Sequence, residues 1–207
     1  MRLLFYLSFL MKEFTRGFLL VVAFAGALLA LWPLGQNLYA RRSQNELRQN
    51  WQKHEKTHRP KPAKSMSLAA KPQPTKAPEF PSTRLVSADA KLDAIVVRGI
   101  READLRRGPG WMPGTALPGQ AGNCVIAGHR NVYGSPFMDL DRLSPGSEIE
   151  VQTSDETFIY TVVTVRSAAD NELSVTAPPA DGSSRLTLIT CTIPRTTSRI
   201  IVSAIKS

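Results

Sequence analysis

Residues 17–40 form a run of 24 positions without a single charge, and most of them are large and apolar. At 1.5 Å of rise per residue, about 20 helical residues cross the ~30 Å hydrocarbon layer of a bilayer. Lys12 and Arg16 precede the run, Arg41 and Arg42 follow it, and Trp32 and Tyr39 lie where interfacial aromatics sit. A cleaved signal peptide is the rival reading, but the run is long and no small-x-small site precedes Arg41. The sequence predicts a membrane-spanning signal anchor over 17–40, with residues 1–16 as a short cytoplasmic start. A second apolar stretch, 3–11, is too short to span and suits the interface. Charge flanking the span is nearly balanced, so the positive-inside rule alone leaves its orientation open.

The formal net charge of +9 is confined to the amino-terminal part of the chain. Met1–Pro81 holds 13 Lys+Arg against 4 Asp+Glu, whereas Ser82–Ser207 holds 13 against 13. A nucleic-acid-binding fold carries its basic patch on the folded surface, so a neutral domain argues against nucleic acid. Basic charge beside an apolar span points to anionic lipid or an anionic wall.

Residues 41–81 read as a basic connector. Pro60, Pro62, Pro72, Pro74, Pro78 and Pro81 are spaced among Lys and Arg, too polar to bury a core and stiffened toward extended conformations. Its first part, 41–57, can continue the membrane helix outward. His54 and His58 are four apart, but without a carboxylate or cysteine partner they read as solvated residues, not as metal ligands.

From residue 82 the texture becomes that of strands: 92–97, 123–127, 148–151, 157–165, 186–191 and 200–205 are apolar or β-branched runs bounded by turns. Only 103–107 and 137–143 suggest short helices. The expected fold for 82–207 is therefore all-β, a closed or sandwiched sheet large enough to hold its own core.

This domain has one histidine, His129, and the chain's two cysteines, Cys124 and Cys191. His129 and Cys191 each stand at the end of an expected strand, where a sheet presents polar groups to a cleft. Thr187, Ile189 and Cys191 alternate onto one face. A thiol with an ordinary pKa near 8.5 needs a base or cation beside it to act as a nucleophile, and His129 can supply one. Arg199 opens the next strand, and a short loop would return it to Cys191 as a positive group for a developing oxyanion. Taken singly, each of these residues reads as structural.

Three segments in order tie them together. Gly122-Asn123-Cys124-Val125-Ile126-Ala127-Gly128-His129-Arg130 resembles the histidine segment of the sortases, membrane-anchored cysteine transpeptidases of bacterial surfaces. Thr187-Leu188-Ile189-Thr190-Cys191-Thr192 is similar to their TLxTC motif, and Arg199-Ile200-Ile201-Val202 to the segment after it. The stretches 105–110 and 113–119 look most like classes D and E. The resemblance implies an eight-stranded β-barrel whose domain lies outside the membrane. It implies Cys191 as nucleophile, His129 as general acid/base and Arg199 at the substrate carbonyl, with Arg195 as a competitor nearer in sequence. Thr190, Ala127 and Ile189 are expected to touch substrate.

The reaction implied is cleavage of an LPxTG-like sorting signal after threonine, through a thioester, with transfer to an amine of a peptidoglycan precursor or a pilin lysine. No metal or organic cofactor is implied. Another cysteine transpeptidase class, the L,D-transpeptidases, wants histidine close to cysteine in a Ser-His-Gly-Cys cluster, unlike the wide spacing of His129 and Cys191. A catalytically idle binding module on the same fold is the remaining alternative, although all three catalytic positions are filled. Cys124 occupies a position usually apolar in relatives and is expected to be a free, buried thiol. The stretch 168–184 is a candidate specificity wall, or else an ordinary surface connection.

Overall fold

A computed structural model describes residues 2–57, 80–192 and 197–207, the side chains of 2–15 and 54–57 excepted. The prolines from Pro60 to Pro78, His58, the His54 side chain, the side chains of 3–11 and Arg195 lie outside the described residues.

The apolar run belongs to one continuous helix, α1 (Arg2–Thr57, 56 residues), about 85 Å long at helical rise. By length and composition it is a helix able to cross a membrane, and its apolar side chains, among them Phe18, Leu29 and Trp32, are exposed. Residues 41–57 continue that helix. Beyond the apolar run α1 changes character. Ala40, Ser43 and Trp51 are buried against the sheet domain.

Eight strands close into a barrel: β1 (Thr83–Ser87), β2 (Leu92–Arg98), β3 (Gly110–Trp111), β4 (Gly122–Ala127), β5 (Glu148–Thr153), β6 (Thr157–Ala169), β7 (Ser184–Cys191) and β8 (Ser198–Lys206). Their order around the barrel is β1-β2-β3-β4-β7-β8-β6-β5, with β5 returning to β1. The β2–β3 and β4–β7 pairs are parallel and the others antiparallel. The interior is filled by Leu85, Ile126, Ile149, Val151, Tyr160, Val162, Leu186, Leu188 and Val202. Helix is scarce in this domain. A single turn, α2 (Glu102–Leu105), follows β2, and 3₁₀ turns occur at Leu140–Arg142 and Leu173–Thr176.

All six strands placed from the sequence form, and β1 and β3, which the apolar runs did not place, complete the eight that the resemblance implied. β1 lies directly after the proline-rich stretch, and β3 is only two residues long, too short to show a period. The short β3 leaves part of β2 without a strand neighbour, and α1 supplies the missing partner. The Gln44 amide Nε2 donates to Ile95 O at 3.1 Å and to Arg107 O at 2.8 Å, while its Oε1 accepts from Ile95 N at 2.9 Å. One side chain thus satisfies both backbone polar groups of a strand residue, as buried backbone requires. A Cβ on Gly108 would lie 2.2 Å from Gln44 Nε2, so glycine there is what admits the helix. Arg48 adds an ion pair to Asp93 at 3.0 Å, and the Arg84 guanidinium stands over the Trp51 ring at 5.4 Å.

Candidate active site

The strand order sets β4, β7 and β8 side by side, with β7 in the middle. On β7, Leu186 and Leu188 face the barrel core, so the alternation of a strand turns Thr187, Ile189 and Cys191 outward. On β4, Cys124 and Ile126 face inward, which turns Ala127 outward. Ala127 is the parallel partner of Ile189, and the ladder continues through Gly128 N donating to Ile189 O at 3.0 Å. His129 and Cys191 each stand two residues beyond that Ala127–Ile189 pair. On the other side, Cys191 is the direct antiparallel partner of Arg199. Cys191 and Arg199 therefore share one outer face at neighbouring strand ends, and His129 follows the end of the adjacent strand β4. Ala127 and Ile189 form the half-buried apolar floor next to them.

Thr190, expected among the substrate-contacting residues, lies on the opposite face. It is buried, and its Oγ1 donates to Gly128 O at 2.8 Å, so it fastens the end of β7 to the end of β4. Counting alternation from Leu186 and Leu188 would have placed it there.

The segment after β4 is braced at both ends. Phe137 N donates to His129 O at 3.1 Å, and the Phe137 ring packs on Gly128 where a Cβ would come within 2.7 Å. Arg130 is buried, pairs with Asp141 at 2.6 Å and donates from Nε to Met138 O at 3.2 Å. Between these braces the ring of Tyr133 lies 5.2 Å from that of His129, tilted by 41°. Arg106 places its guanidinium 5.5 Å over the Tyr133 ring and pairs with Glu102. The Glu102 carboxyl is held below its usual range by its hydrogen bond to Arg106, then by that charge, and to a lesser degree by His129.

Arg199 approaches Asp170, at the start of the β6–β7 connection, with 3.9 Å between Nη2 and Oδ2. That connection is pinned from below. Asn123 donates from Nδ2 to Val175 O at 3.0 Å and Ala177 O at 3.1 Å, and its Oδ1 accepts from Thr187 Oγ1 at 2.8 Å. Sequence reasoning missed Tyr133, Arg106, Asp170 and Asn123. Arg106, Asp170 and Asn123 act through contacts distant in sequence, and Tyr133, four residues after His129, sits in a loop without a periodic signal.

Cys124 and Cys191 are both free thiols. They face opposite sides of the barrel wall, and burial pushes the Cys124 thiol up to about 12. Among the described residues no group of three or more His, Cys, Asp and Glu is placed to hold a metal ion.

A family model of the sortase domain matches residues 87–207, more than half of the chain. The chain belongs to the sortase family. Among its curated relatives, sortase SrtE1 of Streptomyces coelicolor is 38% identical over 93 residues, covering 41% of this chain and 26% of that protein. Sortase A of Streptococcus agalactiae serotype III is 27% identical over 122 residues, covering 56% of this chain and 49% of that protein. The chain thus spans between a quarter and a half of the length of these relatives. Among solved structures, a sortase D5 transpeptidase of Clostridium perfringens superposes with a TM-score of 0.61 at 21% identity, covering 82% of this chain and 98% of that one. Sortase E of Streptomyces avermitilis superposes with a TM-score of 0.56 at 28% identity, covering 62% and 88%. The eight-stranded barrel is the sortase fold, as the resemblance implied.

Proposed function

We propose that this sortase is a cysteine transpeptidase that cuts an LPxTG-like sorting signal after threonine and passes the acyl group to an amine. The observation that supports the reading is the adjacency of β4, β7 and β8, which pairs Cys191 with Arg199 across the ladder and brings the chain at His129 out just past the end of β4. The Cys191 thiol gives its proton to His129 as Sγ attacks the threonine carbonyl carbon, and the charge that builds on the carbonyl oxygen is met by the Arg199 guanidinium. As the tetrahedral intermediate collapses, the C–N bond breaks and His129 protonates the departing amine, leaving a thioester on Cys191. An acceptor amine attacks that thioester, its proton passes to His129 and from there to the departing Cys191 sulfur, and the Cys191 thiol is regenerated. The acceptor is an amine of a peptidoglycan precursor or of a pilin lysine.

Ala127 and Ile189 are proposed to line the site for the signal's apolar residues, with the 170–183 connection as its wall. That connection exposes Leu173 almost completely, at 79%. α1 is proposed as a single-pass anchor with the barrel on the extracytoplasmic side. Docking of the helix from Ala40 to Trp51 would hold the active site close to the membrane surface.

The test uses the full chain in detergent with quenched-fluorophore peptides of LPxTG, LAxTG and LPxTA types, an added amine, and Cys191→Ala beside it. Amine-dependent product from the native chain alone is expected. A folded chain that cuts none of them and whose Cys191 resists alkylation is the binding module instead.

A further inference from the structure

The loop that follows His129 is held in an unusual backbone conformation by the membrane helix. Tyr133, Gly134 and Ser135 have φ of 50°, 79° and 51°, three consecutive left-handed residues of which two carry side chains. Such conformations cost free energy and persist only where the surroundings fix them. What fixes them here comes largely from α1. Gly134 N donates to Asn37 Oδ1 at 3.1 Å, and a Cβ at Gly134 would sit 3.4 Å from that of Ala40. The two contacts lie about one helical turn apart on α1, at the end of its uncharged run. The loop's own Ser135 N to Val132 O bond, 3.0 Å, closes the turn.

The consequence falls on Tyr133. Its ring is delivered against the imidazole of His129, at a separation and tilt typical of aromatic pairs. The same ring meets Arg106 and helps wall a groove of about 570 Å³ with Trp32, Gln36 and Tyr39 of α1 and Ala103 and Arg106 of the barrel domain. The ring thus borders both the groove that α1 lines and the imidazole of His129.

We propose that Tyr133 is a positioning residue for His129, and that Asn37 of the anchor helix sets the loop that presents it. In this arrangement α1 is part of the catalytic apparatus as well as a tether. Docking at Asn37 and Ala40 selects the left-handed turn, the turn places the Tyr133 ring, and the ring holds the imidazole in the plane that serves Cys191. Among the described residues, the titratable and charged groups near this imidazole include Glu102 and Arg106 from α2 and its C-terminal end, Cys191 from β7 and Arg199 from β8. None of them is altered by the substitutions proposed next.

This inference rests on the transpeptidase reading, so the experiment separates the two. The full chain in nanodiscs is compared with Tyr133→Ala, Tyr133→Phe, Asn37→Leu and Asn37→Asp, the Phe variant keeping the ring and the Asp variant keeping the acceptor oxygen. Tyr133→Ala and Asn37→Leu are expected to lower kcat about tenfold, with KM changed less than about twofold, because a small misplacement of a catalytic group is felt in the chemical step. Their kcat/KM–pH profiles shift on the limb that reports His129. Tyr133→Phe and Asn37→Asp recover most of both. In histidine-labelled protein, the His129 ring resonances, assigned by loss in His129→Gln, move in Tyr133→Ala and return in Tyr133→Phe.

An active native chain with an unchanged profile and unchanged His129 resonances in Tyr133→Ala overturns the proposal. So does equal loss in all four variants, which would make the loop a matter of folding alone. A native chain that transfers nothing overturns the transpeptidase reading, while the resonances still decide whether Tyr133 holds His129.

Discussion

Cys191 and Arg199 face each other across the β7–β8 ladder as direct antiparallel partners, with their Cα atoms about 4.5–5.5 Å apart as such pairs are. The backbone itself, and not a loop, fixes the distance between the proposed nucleophile and the guanidinium. Arg199 Nη1 also donates to Ser198 O at 3.2 Å, which limits its swing. Arg199→Ala is therefore expected to lower kcat/KM by about 10²–10³, the range for loss of one oxyanion donor. Arg199→Lys should restore only part of this, since an ammonium cannot reproduce the planar fork. Steady-state kinetics on a cleaved peptide measure it, and full activity in Arg199→Lys would show that charge alone suffices.

Gly128 is enclosed more tightly than its neighbours. Thr190 donates to its carbonyl, its amide donates to Ile189 O, and the Phe137 ring occupies the place of a Cβ at 2.7 Å. Phe137 is buried, so it cannot simply swing away. Gly128→Ala is expected to cost about 1–3 kcal/mol by overpacking and to displace His129, the next residue. Thermal unfolding and activity should fall together. A partial rescue of both by Phe137→Leu in the double variant would assign the cost to that contact, and no rescue would refute it.

The legible part of this molecule was the part whose signal is local. Runs such as Thr157–Ala169 and Ser184–Cys191 announce strands by β-branching, and the order of the His129, Cys191 and Arg199 segments announces a family. β3 escaped because two residues, Gly110 and Trp111, carry no period. Thr190 neighbours Cys191 in sequence, yet neighbours on a strand face opposite ways, and its buried hydroxyl holds Gly128 O instead. The role of α1 beyond its apolar run was illegible for a different reason. Gln44, Asn37 and Arg48 look like solvated helix residues, and only the closed barrel brings Ile95, Gly134 and Asp93 to them.

The two thiols should be chemically distinct. Cys124 is sealed in the barrel wall with its thiol pushed up to about 12, so it stays protonated at any pH where the protein is handled. Cys191 is half-exposed at a strand end. Iodoacetamide at pH 8 is expected to label Cys191 alone in the folded chain, and Cys124 only after denaturant is added. Intact-mass analysis reads the number of adducts. Two adducts formed at similar rates under native conditions would contradict the burial of Cys124.

Asp93 joins three elements at one carboxyl. Arg84 from β1 donates at 2.8 Å to Oδ1, Arg48 from α1 donates at 3.0 Å to Oδ2, and Asp93 itself belongs to β2. The Arg84 hydrogen bond, with a smaller share from Arg48, lowers its pKa from 3.8 to about 2, against an opposing effect of burial. A carboxyl whose pKa is lower in the folded state stabilises that state above the unfolded value and loses the effect as the folded group is protonated. The contribution is thus complete at neutral pH, begins to fade below about 4 and is gone below about 2. Asp93→Asn removes it at every pH. The stability difference between the native chain and Asp93→Asn should be constant from pH 7 to about 5, then shrink toward pH 2, as followed by urea unfolding. Because Arg48 loses its partner, the same variant should also loosen α1 from the barrel. Faster hydrogen exchange at Ile95 N, which Gln44 holds, would report that loosening at pH 7. A difference that stays constant to pH 2 would mean that the ion pairs at Asp93 contribute nothing to holding the helix.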